Sequence, residues 1–185
     1  MMNTSGSRYQ QGASLVEVLV AAIVIGIGLL GIASLQVRSL QASTNAEARA
    51  RATDLAWELA DRIRANADAD EYYITDGVLD NCDAYGTSNC STVPGSSGIE
   101  EGACSKADVA AEDLLAVLCT PSSGIRSVLA EGTLEVTCAD VDTTDSDACT
   151  PGSQLTITIS WSVRDDVFGT GTDRVVMTVI PGDPQ

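Results

Sequence analysis

Histidine is absent from this sequence of 185 residues, which also contains a single lysine and a single phenylalanine. Without histidine, neither a mixed cysteine–histidine zinc site nor a Ser–His or Cys–His nucleophile–base pair can form. The G-x-S-x-G motif, a phosphate-binding glycine loop and the C-x-x-C spacing are also missing. These absences argue against an enzyme and against a cofactor, although a Ser–Lys pair using Lys106 or a pair of carboxylates stays open.

Basic residues are scarce in the C-terminal part of the chain. Residues 1–65 contain six arginines and five acidic residues, whereas residues 66–185 contain four basic and 21 acidic residues. The formal net charge of -16 at pH 7 is therefore concentrated after residue 65. Because so acidic a surface repels phosphate groups, we expect no nucleic-acid partner and favour a soluble surface outside the cytoplasm.

The cysteines indicate an oxidising compartment. They are Cys82, Cys90, Cys104, Cys119, Cys138 and Cys149, all within 68 residues. This spacing favours disulfides over a metal site, and six cysteines allow about 15 pairings. Short loop closure favours Cys82–Cys90 and Cys138–Cys149, which leaves Cys104–Cys119 as the third pair.

Proline is missing from residues 1–93, so a helix can run without interruption through this part of the chain. Residues 18–37 carry no charge, and twenty helical residues span about 30 Å, the thickness of a hydrocarbon core. We therefore predict a retained membrane helix over residues 13–37, the apolar segment. Residues 38–66 are amphipathic, and the predicted helix covers residues 15–66. Its apolar stripe consists of Ala52, Leu55, Ala56, Leu59 and Ile63.

Small residues thin the surface of the apolar segment. They are Ala21, Ala22, Gly26, Gly28, Gly31 and Ala33. The spacing of Ala22 and Gly26 allows close approach of another helix, although small residues also occur in lone anchors. Because glycine weakens helices, residues 26–31 are a candidate for local unwinding.

Residues 67–185, which we call the head, predict an α+β fold. Ser105 and Asp108 have capping-box spacing for a helix over residues 106–118, which Pro121 would stop. Strands are predicted at 127–131, 133–138, 155–163 and 174–180, with a turn at 168–172 and a long cysteine-held loop at 68–104. We expect an antiparallel sheet of about four strands that packs on the stripe of the long helix.

Four aspartates crowd into one loop between the last two cysteines. They are Asp140, Asp142, Asp145 and Asp147. Oxygen-rich loops can hold Ca²⁺, but the glycine and distal glutamate of an EF-hand are missing. The favoured interpretation is a solvated acidic loop, with calcium as the weaker alternative.

The N-terminus reverses the order of an ordinary export signal. Residues 1–12 form a polar leader that ends in Gly12, and the apolar segment follows it with Glu17 as its one charge. The string Gly12-Ala13-Ser14-Leu15-Val16-Glu17 closely resembles the type III signal of type IV pilin precursors, with Ala13 where Phe or Met is usual. The strings at 28–31 and 60–66 resemble the PilV family of minor pilins, the type IV pilus modification proteins. In the head, Cys104, Ala107, Asp108 and Ile159-Ser160-Trp161 resemble that family more loosely.

This resemblance implies a role. A prepilin peptidase would cut after Gly12 on the cytoplasmic side and methylate the amine of Ala13. The mature subunit would span the inner membrane once with its head in the periplasm, and would then enter an extracellular pilus. Glu17 would act in subunit assembly, because it can pair with the Ala13 amine of a neighbouring subunit.

The implied partners are other minor and major pilins, the inner-membrane assembly platform and a tip adhesin. The implied function is initiation of pilus assembly, with support of twitching motility and adhesion. Two alternatives stay open: a minor pseudopilin of a type II secretion system and a membrane-anchored periplasmic enzyme.

Overall fold

The computed structural model describes residues 14–66, 69–82, 104–142, 144, 147–165 and 169–181. The chain divides into two compact units, Met1–Ser43 and Thr44–Gln185. The described helices are α1 (Leu15–Ala65), a 3-10 helix (Asp70–Tyr73), α2 (Lys106–Cys119) and α3 (Ile125–Val128). The described strands are β1 (Thr133–Ala139), β2 (Gln154–Asp165) and β3 (Gly169–Val179).

Helix α1 runs without interruption for 51 residues and ends one residue before its predicted end. It continues through all three glycines of the apolar segment, so residues 26–31 are helical rather than unwound. Two ion pairs at i,i+4 spacing lie on its second half, with 2.7 Å between Arg51 Nη2 and Glu47 Oε1 and 2.9 Å between Arg62 Nη2 and Glu58 Oε1. Exposed pairs of this kind contribute only about 0.3–0.5 kcal/mol each.

The second half of α1 supplies one side of the hydrophobic core. All five residues of the predicted stripe are buried, and Ala60 joins them. The core also contains side chains of α2 and of β2, among them Leu114, Leu118, Ile157 and Trp161. Burying a large apolar side chain contributes about 1.5–3 kcal/mol, so this stripe holds the helix against the rest of its unit.

The sheet is antiparallel and has the order β1-β2-β3. The alternation along β2 is confirmed, because Leu155, Ile157, Ile159 and Trp161 are buried. The sheet has three strands among the described residues rather than about four, although an isolated bridge joins Leu79 to Leu134 on β1. The α+β class, with a long helix packed on an antiparallel sheet, is therefore confirmed.

The predicted strand at 127–131 is wrong, because these residues form the end of α3 and a tight turn. Glu131 has a left-handed backbone with φ 51°. A Cβ on Gly132 would lie 2.7 Å from the backbone oxygen of Ile125, so only glycine permits this close approach. The predicted turn at 168–172 is also wrong over residues 169–172, which belong to β3, and Phe168 lies outside the described residues.

Helix α2 begins as its sequence predicts. The Asp108 backbone N–H donates to Ser105 Oγ at 3.2 Å, and the Ser105 N–H donates to Asp108 Oδ2 at 3.0 Å. These two bonds form the expected capping box. The helix continues to Cys119 and ends before Pro121, which cannot extend it.

Two disulfides lie within the described residues. Cys138–Cys149 is confirmed, whereas Cys82 pairs with Cys119. The predicted pairs Cys82–Cys90 and Cys104–Cys119 are therefore wrong, and Cys90 itself lies outside the described residues. The cause is the path of residues 74–82 along β1, where the Leu79 N–H donates to the Leu134 oxygen at 2.8 Å. This path carries Cys82 to the end of α2, a proximity that sequence separation cannot reveal.

Candidate functional site

The described part of the apolar segment, residues 14–37, presents apolar side chains on every side. Leu15 is 90% exposed and Leu30 is 73% exposed. None of the most apolar 18-residue window is buried within the chain, and α1 is long and apolar enough to cross a membrane. Exposed apolar surface of this extent marks contact with lipid or with other helices.

The glycines of the apolar segment face open space rather than another described part of the chain. A Cβ added to Gly26, Gly28 or Gly31 would meet no atom within 4 Å. Their cost to helix stability, about 1 kcal/mol each in a soluble helix, is therefore not offset by packing in the isolated chain. What they provide is a thin helix surface that another helix can approach closely.

Glu17 lies in the first turn of α1. The Glu17 backbone N–H donates to the Ser14 oxygen at 2.9 Å and closes this turn. A carboxylate at this end of a helix is favoured by the helix dipole. The side chain is exposed, and no described residue pairs with it. Gly12 and Ala13, the predicted cleavage and methylation residues, lie outside the described residues.

The next charge along the helix is Arg38. It follows Glu17 by 21 residues, or about 31 Å at the rise of an α-helix. Glu17 is thus the single charged side chain that the apolar segment could bring into a helix–helix or lipid contact.

A polar network fixes the C-terminal end of α1, and the sequence did not predict it. Tyr73 Oη donates to Asp113 Oδ2 at 2.6 Å, and Arg62 Nη1 donates to Asp113 Oδ1 at 3.0 Å. Asn66 Nδ2 donates to Tyr73 Oη at 3.2 Å and to the Lys106 oxygen at 3.0 Å. This network accounts for Arg62 and Asn66 of the helix-end string at 60–66, whereas Asp61 and Arg64 of that string pair with each other.

The network also changes the acidity of its members. Burial, followed by the hydrogen bond to Asp113, raises the pKa of Tyr73 well above its usual value. Burial opposes the charge of Arg62, but hydrogen bonds to Asp113 and Glu58 raise its pKa overall. Both shifts keep the network protonated at Tyr73 and charged at Arg62 near neutral pH.

In the loop between Cys138 and Cys149, which we call the aspartate loop, aspartate carboxylates accept hydrogen bonds from backbone N–H groups and from a serine hydroxyl. Asp140 Oδ1 accepts from the Thr150 N–H at 2.9 Å and from Ser153 Oγ at 3.1 Å, while Asp142 Oδ1 accepts from the Thr144 N–H at 3.0 Å. The bond from the Thr150 backbone is the main reason that the pKa of Asp140 is lowered.

No group of three or more His, Cys, Asp or Glu residues suited to a metal occurs in the described ranges, which omit Asp145. Calcium binding by Asp140, Asp142, Asp145 and Asp147 therefore stays a prediction.

Family models match two consecutive parts of the chain. Residues 7–33 match the prokaryotic N-terminal methylation motif, and residues 34–115 match the model described as type IV pilin Tt1218. No curated protein and no solved structure matches the chain. The PilV subfamily stays a prediction, because the matched model is the Tt1218-like one.

Taken with the long apolar helix and the α+β unit, these matches fit a membrane-anchored subunit of a structural, rather than catalytic, family. Association with other pilins and processing by a prepilin peptidase follow from that family. The chain belongs to the type IV pilins and carries the N-terminal methylation motif of their precursors.

Proposed function

We propose that this chain is a minor pilin of the PilV type that helps to initiate a type IV pilus and is then incorporated into it. The prepilin peptidase removes residues 1–12 by cutting after Gly12, and it methylates the amine of Ala13. The mature subunit waits in the inner membrane and enters the filament through the apolar segment, residues 13–37. Residues 38–66 continue the helix onto the head, residues 67–185.

The observation that carries this proposal is the exposed, apolar first half of α1 with one carboxylate in its first turn. A lone membrane anchor needs only apolar length. Glu17 adds a charge that becomes costly once the segment is packed among other helices. In that setting an unpaired buried charge costs about 3–5 kcal/mol, which makes a partner for Glu17 a condition of assembly.

The partner that the processing reaction creates is the amine of Ala13. It lies four residues before Glu17, or about 6 Å along a helix. When the Glu17 carboxylate meets the amine of a neighbouring subunit, both charges are compensated. Because only one axial stagger brings these groups together, the pair sets the register between neighbouring helices.

The charge of the head supports a minor rather than a major role. With four basic and 21 acidic residues after residue 65, neighbouring copies of this chain repel one another. A filament made of this chain alone is therefore disfavoured. The chain fits as an occasional subunit among other minor and major pilins, near the assembly platform at initiation and near a tip adhesin afterwards.

The disulfides support a periplasmic head. Cys82–Cys119 and Cys138–Cys149 both lie after α1, and such bonds persist in oxidising compartments. With the head in the periplasm and one crossing by the apolar segment, we infer that the leader lies on the cytoplasmic side, where the peptidase acts.

The test replaces Glu17 in the chromosomal gene. Glu17→Ala should still be cleaved and inserted, but pilus number and recovery of this subunit in sheared pili should fall at least tenfold. Glu17→Asp should be impaired in part because its reach is shorter. Glu47→Ala is the matched control, since it removes from the same helix an exposed carboxylate that pairs with Arg51. Pili of normal number that contain the Glu17→Ala subunit would refute the assembly role.

A deletion strain separates the pilus from the secretion alternative. Loss of pili and of twitching, with secretion of exoproteins unchanged, supports the minor pilin. Loss of secretion with normal pili would instead identify a minor pseudopilin.

A further inference from the structure

The two edges of the sheet differ in what lies beside them. At one edge, residues 74–82 run along β1, and the Thr75 N–H donates to the Val136 oxygen at 3.0 Å. At the other edge, no segment among the described residues pairs with the outer side of β3. Proteins usually cover or blunt a long strand edge, because its unpaired backbone groups can pair with another chain.

The strand register shows which residues of β3 point to this bare edge. The backbone N–H and C=O of one residue point to the same side of a strand, and those of the next residue point to the opposite side. Ser162 on β2 points toward the β1 side, because its N–H donates to the Ala130 oxygen at 2.8 Å. The odd-numbered residues of β2 therefore point toward β3 and pair with its odd-numbered residues. The even-numbered residues of β3, which include Val176 and Thr178, point their backbone groups away from the sheet.

A side chain closes one part of this edge. The Arg174 N–H donates to Asp173 Oδ1 at 2.9 Å, and the same oxygen accepts from Arg49 Nη2 at 2.9 Å. The remaining part, residues 176–180, is what we call the open edge. No described group accepts a hydrogen bond from the Val176 N–H. Such a row of backbone donors and acceptors is complementary to a second extended backbone, as in strand addition.

Apolar side chains flank the open edge on both faces of the sheet. Val176 is 54% exposed on the outer face, and Ile180, one residue past β3, is 44% exposed. On the inner face, Val175 and Met177 pack against the core but are only partly buried. An added strand would lie about 4.8 Å from β3 and would cover side chains on both faces. The matching segment is therefore extended and has apolar residues on both of its sides.

Charge indicates which chain supplies this segment. Each copy of this chain has a net charge of -16, so pairing with a second copy is disfavoured by repulsion. Next to the open edge, the exposed Arg174 forms no ion pair with any described residue. A carboxylate on the incoming segment would pair with this guanidinium.

We propose that an extended segment of a different pilin subunit adds to the sheet as a fourth strand along the open edge of β3. Its backbone pairs with that of Val176 and Thr178, its apolar side chains cover Val176 and Met177, and a carboxylate near one end pairs with Arg174. This inference rests on the proposed function, because it requires a filament of several pilins. It concerns the head, however, and makes no use of Glu17.

The first measurement is amide hydrogen exchange of the full chain, labelled with ¹⁵N, in detergent micelles. The N–H groups of Val176 and Thr178 should exchange at least a hundredfold faster than those of Val175 and Met177, which pair with β2. Slow exchange at Val176 and Thr178 in the isolated chain would show that the chain covers its own edge, and this would overturn the proposal.

The second measurement is photo-cross-linking in piliated cells, with benzoylphenylalanine in place of Thr178. Mass spectrometry of the cross-linked peptides from sheared pili identifies the occupant of the open edge. Thr137 is the matched control position, because the register places it in the same cross-strand row, two strands or about 10 Å from Thr178. The probe at Thr178 should cross-link to one segment of a different pilin with at least ten times the yield of the probe at Thr137.

Substitutions at Val176 test whether the backbone of the open edge is the contact. Val176→Pro removes an N–H that β3 does not use in its own sheet, so the fold should be kept and the cross-link yield should fall at least tenfold. Val176→Ile is the matched control, because it keeps the N–H and the apolar side chain, and its yield should stay within twofold. Val176→Lys keeps the N–H but places a charge in the apolar contact. It should lower the yield at least threefold, and it decides the question if the proline variant does not fold.

Several results would overturn the proposal. They are cross-links to a second copy of this chain, to the chain's own residues or to a protein that is not a pilin, equal yields from the two probe positions, and an undiminished yield in Val176→Lys. If the wild-type chain is absent from sheared pili, the proposed function fails and this inference fails with it. If the wild-type chain is present in pili but the Thr178 probe gives no cross-link, the strand addition alone is refuted.

Discussion

Helix α1 is one continuous element with two different surfaces. Leu30 is 73% exposed, whereas Leu59 on the same helix is fully buried. Around Leu30 the apolar residues face every direction, and around Leu59 they form a single stripe. The second half is therefore satisfied by the chain's own sheet and α2, whereas the first half needs lipid or other subunits. Apolar content alone does not distinguish these halves, but the distribution of apolar residues around the helix does.

The largest loss of stability should come from removing the disulfides, which among the described residues lie only after α1. Replacing Cys82 and Cys119 with serine opens a link of separation 37, and replacing Cys138 and Cys149 opens one of separation 11. The loop-entropy relation predicts a loss of about 4 kcal/mol for the first and about 3 kcal/mol for the second. Urea unfolding of the full chain in micelles, followed by near-ultraviolet circular dichroism, measures both. A larger loss for the shorter link would contradict the entropic explanation.

A matched pair of leucine substitutions tests the comparison on α1 directly. Leu59→Ala removes a buried side chain and should lower the free energy of unfolding by about 2–5 kcal/mol. Leu30→Ala should change that same unfolding transition by less than about 0.5 kcal/mol, because Leu30 has no core to leave. Recovery in sheared pili should show the reverse order. Equal destabilisation of the head by both variants would mean that the two halves are not distinct.

A smaller effect is expected at the end of α1, where polar contacts replace apolar ones. Tyr73→Phe removes the donor to Asp113 and should cost about 1.5–3 kcal/mol at neutral pH, since the acceptor is a carboxylate.

Tyr73→Phe should also change how the free energy of unfolding depends on pH in the alkaline range. The pKa of Tyr73 is raised in the folded chain, so the protonated form is favoured by folding. The contribution of Tyr73 to the free energy of unfolding is complete below the ordinary tyrosine pKa of 10.0, and it is lost as the pH rises above that value. The wild-type chain should therefore lose stability more steeply above pH 10 than Tyr73→Phe. Parallel pH profiles would show that Tyr73 is not the titrating group.

Elements with strong local signals were predictable from the sequence. The length and stripe of α1, the capping box at Ser105 and the alternation along β2 follow from residue spacing within one element. The motif around Glu17 is also local, which explains why both the sequence resemblance and the family model detect it.

Features that depend on distant segments were not predictable. The Cys82–Cys119 link requires the path of residues 74–82 beside β1, and short separation favoured a different partner. Residues 127–131 carry strand-forming residues, but the close approach of Gly132 to Ile125 produces a turn instead. The Tyr73–Asp113 contact joins residues 40 positions apart, and neither has a local signal for the other.

The attachment of α1 to its own unit has a mechanical consequence. Arg49 binds Asp173 on β3 at 2.9 Å, the buried stripe follows over residues 52–63, and Asn66 binds the Lys106 oxygen at the far end. These contacts are spread over about 25 Å along the helix axis. A pull along that axis loads them together, in shear, whereas a sideways pull would separate them one after another. In a filament under tension, a subunit gripped by its helix would therefore carry its head without opening it.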